Sequence, residues 1–466
     1  MKRVEPVPAA AGTPVGDPAW WRGARLGRGC VLALAAIFLI GAQETKEDWP
    51  TIISQLQYEL NQNPGRAMTR QQLATAYNNY GISFGEQRQW NLAIQQLQEA
   101  IKLDGANEQF QANLSSIYLN QADELDKQFQ ANAALETVRK AMGCDPKLKR
   151  AYDVVESIKR IDPVLREVNA LSLDASQTRL LAQACGFLGR VQYDRQKLAE
   201  AEVAWRIALE LDPTIPNLQG RLDQLTQERP IESQFERLSQ GYFDIRYEEE
   251  LEQPAGFDIR HALLDARSSV GSDFSYWPKP PRKIVVLLYS AESFRRIRQE
   301  TPDWVAGQFD GKIRVPFPST TLAEARVREI LFHEYTHAVI FDLTKGACPL
   351  WLNEGLAEHE GRSQNAGTLQ HLRAAHRADQ LIPWQELSDH FSTALGAEHV
   401  ALAYEQSYSL AAYLIQRYGF WRMRRFLKTI AEGQPWAAAL EQEVHLKLAK
   451  LEADWRRWLP EFLTTR

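Results

Sequence analysis

The sequence predicts a mostly helical α+β protein, and three observations carry that expectation. From about residue 66 to 228, small residues recur at a fixed period on a helical pattern. Residues 241–250 and 282–290 then change period and read as β-strands. From about residue 321 the helical period returns and holds to the end. A chain of 466 residues is too long for one ordinary core, so more than one domain is expected. The divisions read from the pattern are 1–45, 46–228 and 229–466.

The composition is that of a globular chain, 44% hydrophobic and 24% charged, with a net charge of −5. No Lys/Arg-rich block follows the N-terminus, so no nucleic-acid partner is expected. Arg22, Arg25 and Arg28 precede an apolar run at 29–42. That run is shorter than the ~20 residues needed to span a bilayer and fits a signal-peptide core. Ala42, with Ile40 two residues before it, offers a cleavage site. The long lead before the run makes an uncleaved membrane anchor the alternative. On either reading the rest of the chain is expected outside the cytoplasm, periplasmic or secreted. Cys30 begins the apolar run rather than ending it, so it does not read as a lipidation site. Cys144, Cys185 and Cys348 form no C-x-x-C pair. They read as small buried apolar residues, with a Cys144–Cys185 bridge as the alternative.

Within 46–228, Tyr77, Tyr80, Gly81, Phe84, Ala93, Leu97 and Ala100 mark one helical hairpin. Leu188, Gly189, Ala201, Trp205, Ala208 and Pro213 repeat the grid. Between them, Ala134, Val138, Ala141 and Pro146 mark the second helix of another unit, whose first helix carries a longer loop. The register is lost around 150–175. Gly and Ala sit where two helices must cross closely, and large residues fill between hairpins. The spacing resembles tetratricopeptide repeats. Such an array implies a protein or peptide partner on its surface, or a support for the neighbouring domain.

"QERPIESQFE" (227–236) reads as a boundary. After it come the strand at 241–250, a helix at 256–270, the strand at 282–290 and a short helix at "AESFRRIR". Residues 305–317 read as a hairpin turning at Asp310-Gly311. A helix at about 321–343 follows, then helices to the end. The acidic run 247–253 reads as a solvated face.

The 321–343 helix carries His333-Glu334-Tyr335-Thr336-His337, an H-E-x-x-H pattern. Positions i and i+4 share one helix face, so both imidazoles can reach one ion. Glu334 stands beside the first histidine, where it can take a proton from a bound water. Ile330, Leu331, Phe332, Ala338, Val339 and Ile340 would keep the site dry. A catalytic zinc needs a third protein ligand and one open position. Glu354, in "WLNEGLAE", follows His337 after sixteen residues and supplies it. Glu358, one turn later, is placed to accept the second ring N–H of a zinc histidine. The other histidines (His261, His359, His371, His376, His390, His399 and His445) show no partner pattern and read as surface or packing residues.

These residues resemble the gluzincin branch of the peptidase MA clan, which includes thermolysin and aminopeptidase N. The resemblance runs from about residue 240 to the end and implies a small sheet followed by helices. It implies His333, His337 and Glu354 as ligands of one Zn2+ per chain, and Glu334 as general base. The spacing to Glu354 is two residues shorter than in the aminopeptidases. The three-histidine alternative H-E-x-x-H-x-x-G-x-x-H fails, because Ile340 and Leu343 stand where Gly and His belong. "ALAYEQSYSLAAYLIQRYG" resembles the segment that delivers an oxyanion-binding tyrosine. Tyr404 matches that position, Tyr408 is the fallback, and a packing role is the alternative for either. Residues 312–317 lie where the clan has an edge strand for the substrate backbone. The G-x-M-x-N signature that grips a free N-terminus is absent. The expectation is therefore a zinc metallohydrolase acting on peptide or protein substrates. A repeat-based scaffold with a structural or vestigial zinc site is the rival.

Overall fold

A computed structural model describes residues 48–127, 130–157, 160–248, 259–278, 283–297, 308–309, 311–316 and 324–465. The signal or anchor segment expected at 1–45 lies outside the described residues. Contacts divide the described chain between Gln234 and Phe235 into two compact units.

The first unit is wholly helical: α1 (Trp49–Gln62), α2 (Ala67–Glu86), α3 (Trp90–Leu103), α4 (Glu108–Lys127), α5 (Ala131–Met142), α6 (Pro146–Ser157), α7 (Ile161–Ala170), α8 (Ala175–Asp194), α9 (Leu198–Leu211) and α10 (Leu218–Glu232). The pairs α2–α3, α4–α5 and α8–α9 pack as hairpins. Two of them share their construction. A Cβ on Gly81 would stand 2.7 Å from Leu97 Cγ, and one on Gly189 only 2.2 Å from Trp205 Cδ1. Seven residues after each glycine the chain turns through a left-handed residue, Arg88 at φ 58° and Gln196 at φ 59°. The longer loop expected in the middle pair falls between Lys127 and Ala131, where residues 128 and 129 lie outside the described residues. The stretch of lost register is α6 and α7, whose Leu148, Tyr152, Val164 and Val168 enter the same core as α8 and α9. Helix α10 carries Pro230 inside its last turn, so the boundary expected at 228/229 falls within a helix.

Cys144 and Cys185 are both free, which removes the bridge alternative. Cys185 is fully buried on α8, and burial pushes its thiol up to about 12.

The second unit joins a five-stranded sheet to nine α-helices among the described residues. Strands β1 (Glu236–Gln240) and β2 (Phe243–Tyr247) pair antiparallel about a turn at Gly241, φ 55°. Helix α11 (Ile259–Phe274) then crosses to β3 (Ile284–Tyr289), which runs parallel to β2. Strand β3 is a continuous apolar run because it is central and covered on both faces. Helix α12 (Ala291–Ile297) leads on to the hairpin of β4 (Gln308–Phe309) and β5 (Ile313–Pro316), with Gly311 at φ 99°. The order is β1-β2-β3-β5-β4. At Ile313 and Arg314 strand β5 is thus paired on both sides, by β3 and β4. The outermost strand there is β4, not the 312–317 strand expected as the edge.

The remaining helices are α13 (Glu324–Thr344), α14 (Leu350–Arg362), α15 (Gln370–Ala378), α16 (Ala397–Tyr418), α17 (Phe420–Ala431), α18 (Trp436–Val444) and α19 (Leu448–Thr465). Helix α13 lies at the centre. It packs on α11, α14, α17 and β5, and every residue from Glu334 to Ile340 is buried. Its central turns are enclosed on every side, and there Glu334, Thr336 and His337 are buried among apolar neighbours. Among the described residues no helix is long and apolar enough to cross a membrane.

Candidate metal centre

Helices α13 and α14 build the site together. Gly361 lets them meet: its Cβ position is 3.1 Å from the Glu329 carbonyl oxygen and 3.3 Å from His333 Cβ. On the opposite side of α14, a Cβ on Gly355 would stand 2.4 Å from the Ser407 carbonyl oxygen of α16. The helix is therefore clamped between α13 and α16 around Glu354.

The clamp brings three donors to one point. His333 Nε2 and His337 Nε2 are 3.0 Å apart. Each lies 3.5 Å from Glu354 Oε2. A tetrahedral ion with metal–ligand distances of about 2.0–2.1 Å places its ligands about 3.3 Å apart, so this triangle fits one ion. The donor set, two imidazoles and a carboxylate, suits zinc and leaves a fourth position for water or substrate. The three side chains are 16%, 6% and 9% exposed. Glu334 is 3% exposed and adjacent to His333 on α13.

The electrostatics are those of a cation site. Burial disfavours a charged His333. The carboxylates of Glu354, Glu358 and Glu334 override it and hold its pKa well above the ordinary imidazole value. Burial likewise works against an ionised Glu354, yet His337 and His333 hold it at about 2. Glu358 is held below the usual carboxylate range by His333 and Arg362, again against burial. A divalent ion held by His333, His337 and Glu354 would satisfy the same negative charge.

Glu358 Oε1 lies 3.4 Å from His333 Nδ1, the ring nitrogen not facing the ligand triangle. Its second oxygen accepts a 2.6 Å hydrogen bond from Arg362 Nε. Tyr404 stands half-buried on α16, its ring 5.1 Å from that of Phe391 in an edge contact. Tyr408 is 2% exposed, with the Arg362 guanidinium 4.9 Å above its ring. Cys348 is buried and outside the ligand group. Burial first and then Glu354 push its thiol pKa well above the ordinary value, which disfavours a thiolate there.

Several partnerships were not read from the sequence. Arg362 lies four residues after Glu358, and that helical spacing is a signal for it. His371 Nδ1 pairs with Glu405 Oε1 at 2.8 Å, while Glu405 Oε2 accepts from the Leu372 N–H and anchors α15 to α16. His390 Nδ1 and His399 Nε2 meet at 2.6 Å. These contacts join distant segments and leave no local pattern.

With the ligand triangle in place, the comparison with known families can be read onto it. Residues 320–461 match the peptidase MA superfamily. The matched span takes in both histidines, Glu334, Glu354, Glu358 and Tyr404, and leaves out the helical unit and all five strands of the sheet. No curated protein and no solved structure matches the chain.

Proposed function

We propose that the protein is a zinc-dependent metallohydrolase cleaving peptide bonds in peptide or protein substrates. The ligand triangle of His333, His337 and Glu354, with Glu334 directly beside it, is the observation that carries this reading. A zinc ion held there would supply Lewis acidity, lowering the pKa of its water toward ~7 and polarising a carbonyl.

The chain's own residues do the rest. Glu334 takes the proton of the attacking water and later delivers it to the leaving nitrogen. Glu358 receives the His333 Nδ1–H, which keeps the Nε2 lone pair turned to the ligand triangle. Tyr404 donates a hydrogen bond to the developing oxyanion. The apolar flanks of α13 keep bulk water from the site, so these charges act at full strength. An intact Glu334 favours an enzyme over a structural zinc site, which has no use for a base.

The repeated hairpins of the helical unit support a tetratricopeptide-like array that holds a protein partner. The 29–42 run, with arginines before it, supports export or anchoring outside the cytoplasm. Incubation of the zinc-loaded chain with a diverse peptide mixture, followed by sequencing of the fragments, tests the catalytic reading. New termini that vanish with Glu334→Gln are expected. A mixture left intact by the zinc-loaded chain would remove the peptidase assignment.

A further inference from the structure

We propose that Arg362 is the positioning residue of the metal centre, fixing ligand His333 through Glu358. The inference rests on the zinc-site reading but not on the choice of peptide as substrate. Glu358 has one oxygen on His333 Nδ1 at 3.4 Å and the other on Arg362 Nε at 2.6 Å. A lone glutamate at 18% side-chain exposure has several rotamers open to it. With one oxygen held by Arg362, the other stays against the imidazole.

Arg362 is itself held on two further sides. Its Nη1 donates to the carbonyl oxygens of Ala366 at 2.8 Å and Thr368 at 3.4 Å. Its guanidinium lies over the Tyr408 ring of α16, and its side chain is 12% exposed. The loop it grips is also pinned to α13, the helix of His333. Asn365 Nδ2 donates to Glu329 Oε2 at 2.6 Å, and Gln364 Oε1 accepts from Arg328 Nε at 3.2 Å. Arg362 thus ties α14, the following loop and α16 to a single carboxylate oxygen. Only a planar fork with several fixed donors spans these acceptors; a lysine ammonium is a point charge on a flexible stem.

The test uses the purified full-length chain and zinc ion alone, with affinity measured by competition against a chromophoric chelator. Arg362→Gln is expected to weaken zinc binding about 10- to 100-fold, the range for a lost outer partner of a ligand. Arg362→Lys keeps the charge and is expected to lose less. In a Glu358→Gln background, which is itself weakened, either Arg362 change is expected to add no further loss. Equal losses in both backgrounds would show that Arg362 acts by general packing and would overturn the proposal, as would wild-type affinity in both variants. If Arg362→Gln does not fold, the lysine variant decides by the same comparison. Affinity is read without turnover, so it decides Arg362 whether or not any peptide is cleaved. A wild-type chain that binds no zinc overturns both readings.

Discussion

Gly355 lies against the backbone of Ser407, so close that an added Cβ would stand 2.4 Å from the Ser407 carbonyl oxygen. The backbone cannot swing aside as a side chain can, so α14 must move. The residue next to Gly355 is the third candidate ligand. Gly355→Ala is therefore expected to cost about 1–3 kcal/mol by overpacking and to weaken metal binding as well. Thermal unfolding and zinc titration of the same preparation check both effects. An unchanged zinc affinity with lowered stability would show that Glu354 tolerates the shift.

Glu334→Gln keeps the shape of the side chain and removes the base. The variant is expected to bind zinc as the parent does and to lose about 10²–10⁴-fold in turnover, the usual range for general acid–base catalysis. Metal content and peptide hydrolysis, measured together, separate the base from a ligand or packing role.

Glu360 gives a pH dependence with a definite sign. Burial, and secondarily the charge of Asp273, push its carboxyl from 4.5 up to about 8. Between those values the folded chain holds a proton that the unfolded chain has released. The associated stability is complete below the unfolded pKa and declines as pH rises, until Glu360 ionises in the folded state near 8. The slope is about 1.4 kcal/mol per pH unit. Glu360→Gln removes this slope. In urea unfolding of the metal-free chain, the variant is expected to gain on the parent steadily from mildly acidic pH to pH of about 8. A constant difference across that range would rule the mechanism out.

Two glycines of the helical unit predict opposite signs for one substitution. Gly189 faces Trp205, 1% exposed, with no room for a methyl group, so Gly189→Ala is expected to destabilise by about 1–3 kcal/mol. Gly220 lies within α10 with nothing within 4 Å of its Cβ position. There Gly220→Ala is expected to stabilise by about 0.5–1 kcal/mol through helix propensity and unfolded-state entropy. Denaturant midpoints of the two variants check the pair.

Much of the second unit was legible because its signals are local. Strand β3 is an unbroken apolar run, α13 carries the two histidines on one face, and Glu354 and Glu358 stand one turn apart. Other features left no such trace. Strand β1 reads "ERLSQ", mostly polar, since it borders the sheet; its Leu238 packs against the core. Pro230 looked like a boundary, yet it sits in the last turn of α10, where the helix ends soon after. The edge strand shifted from β5 to β4 because pairing is a tertiary choice that the turn at Gly311 permits but does not dictate. Arg362 was missed because a Glu–Arg pair at helical spacing is usually a solvated surface pair. Its role depends on which face α13 covers.

His333, His337 and Glu354 are expected to hold a catalytic zinc ion. Zinc per chain, measured by elemental analysis on the purified wild type and on Glu354→Ala, tests it most directly. About one zinc is expected in the wild type, as three-ligand catalytic sites hold, and little in the variant. A folded wild type that takes up no zinc, or a variant that holds it as tightly, would contradict it.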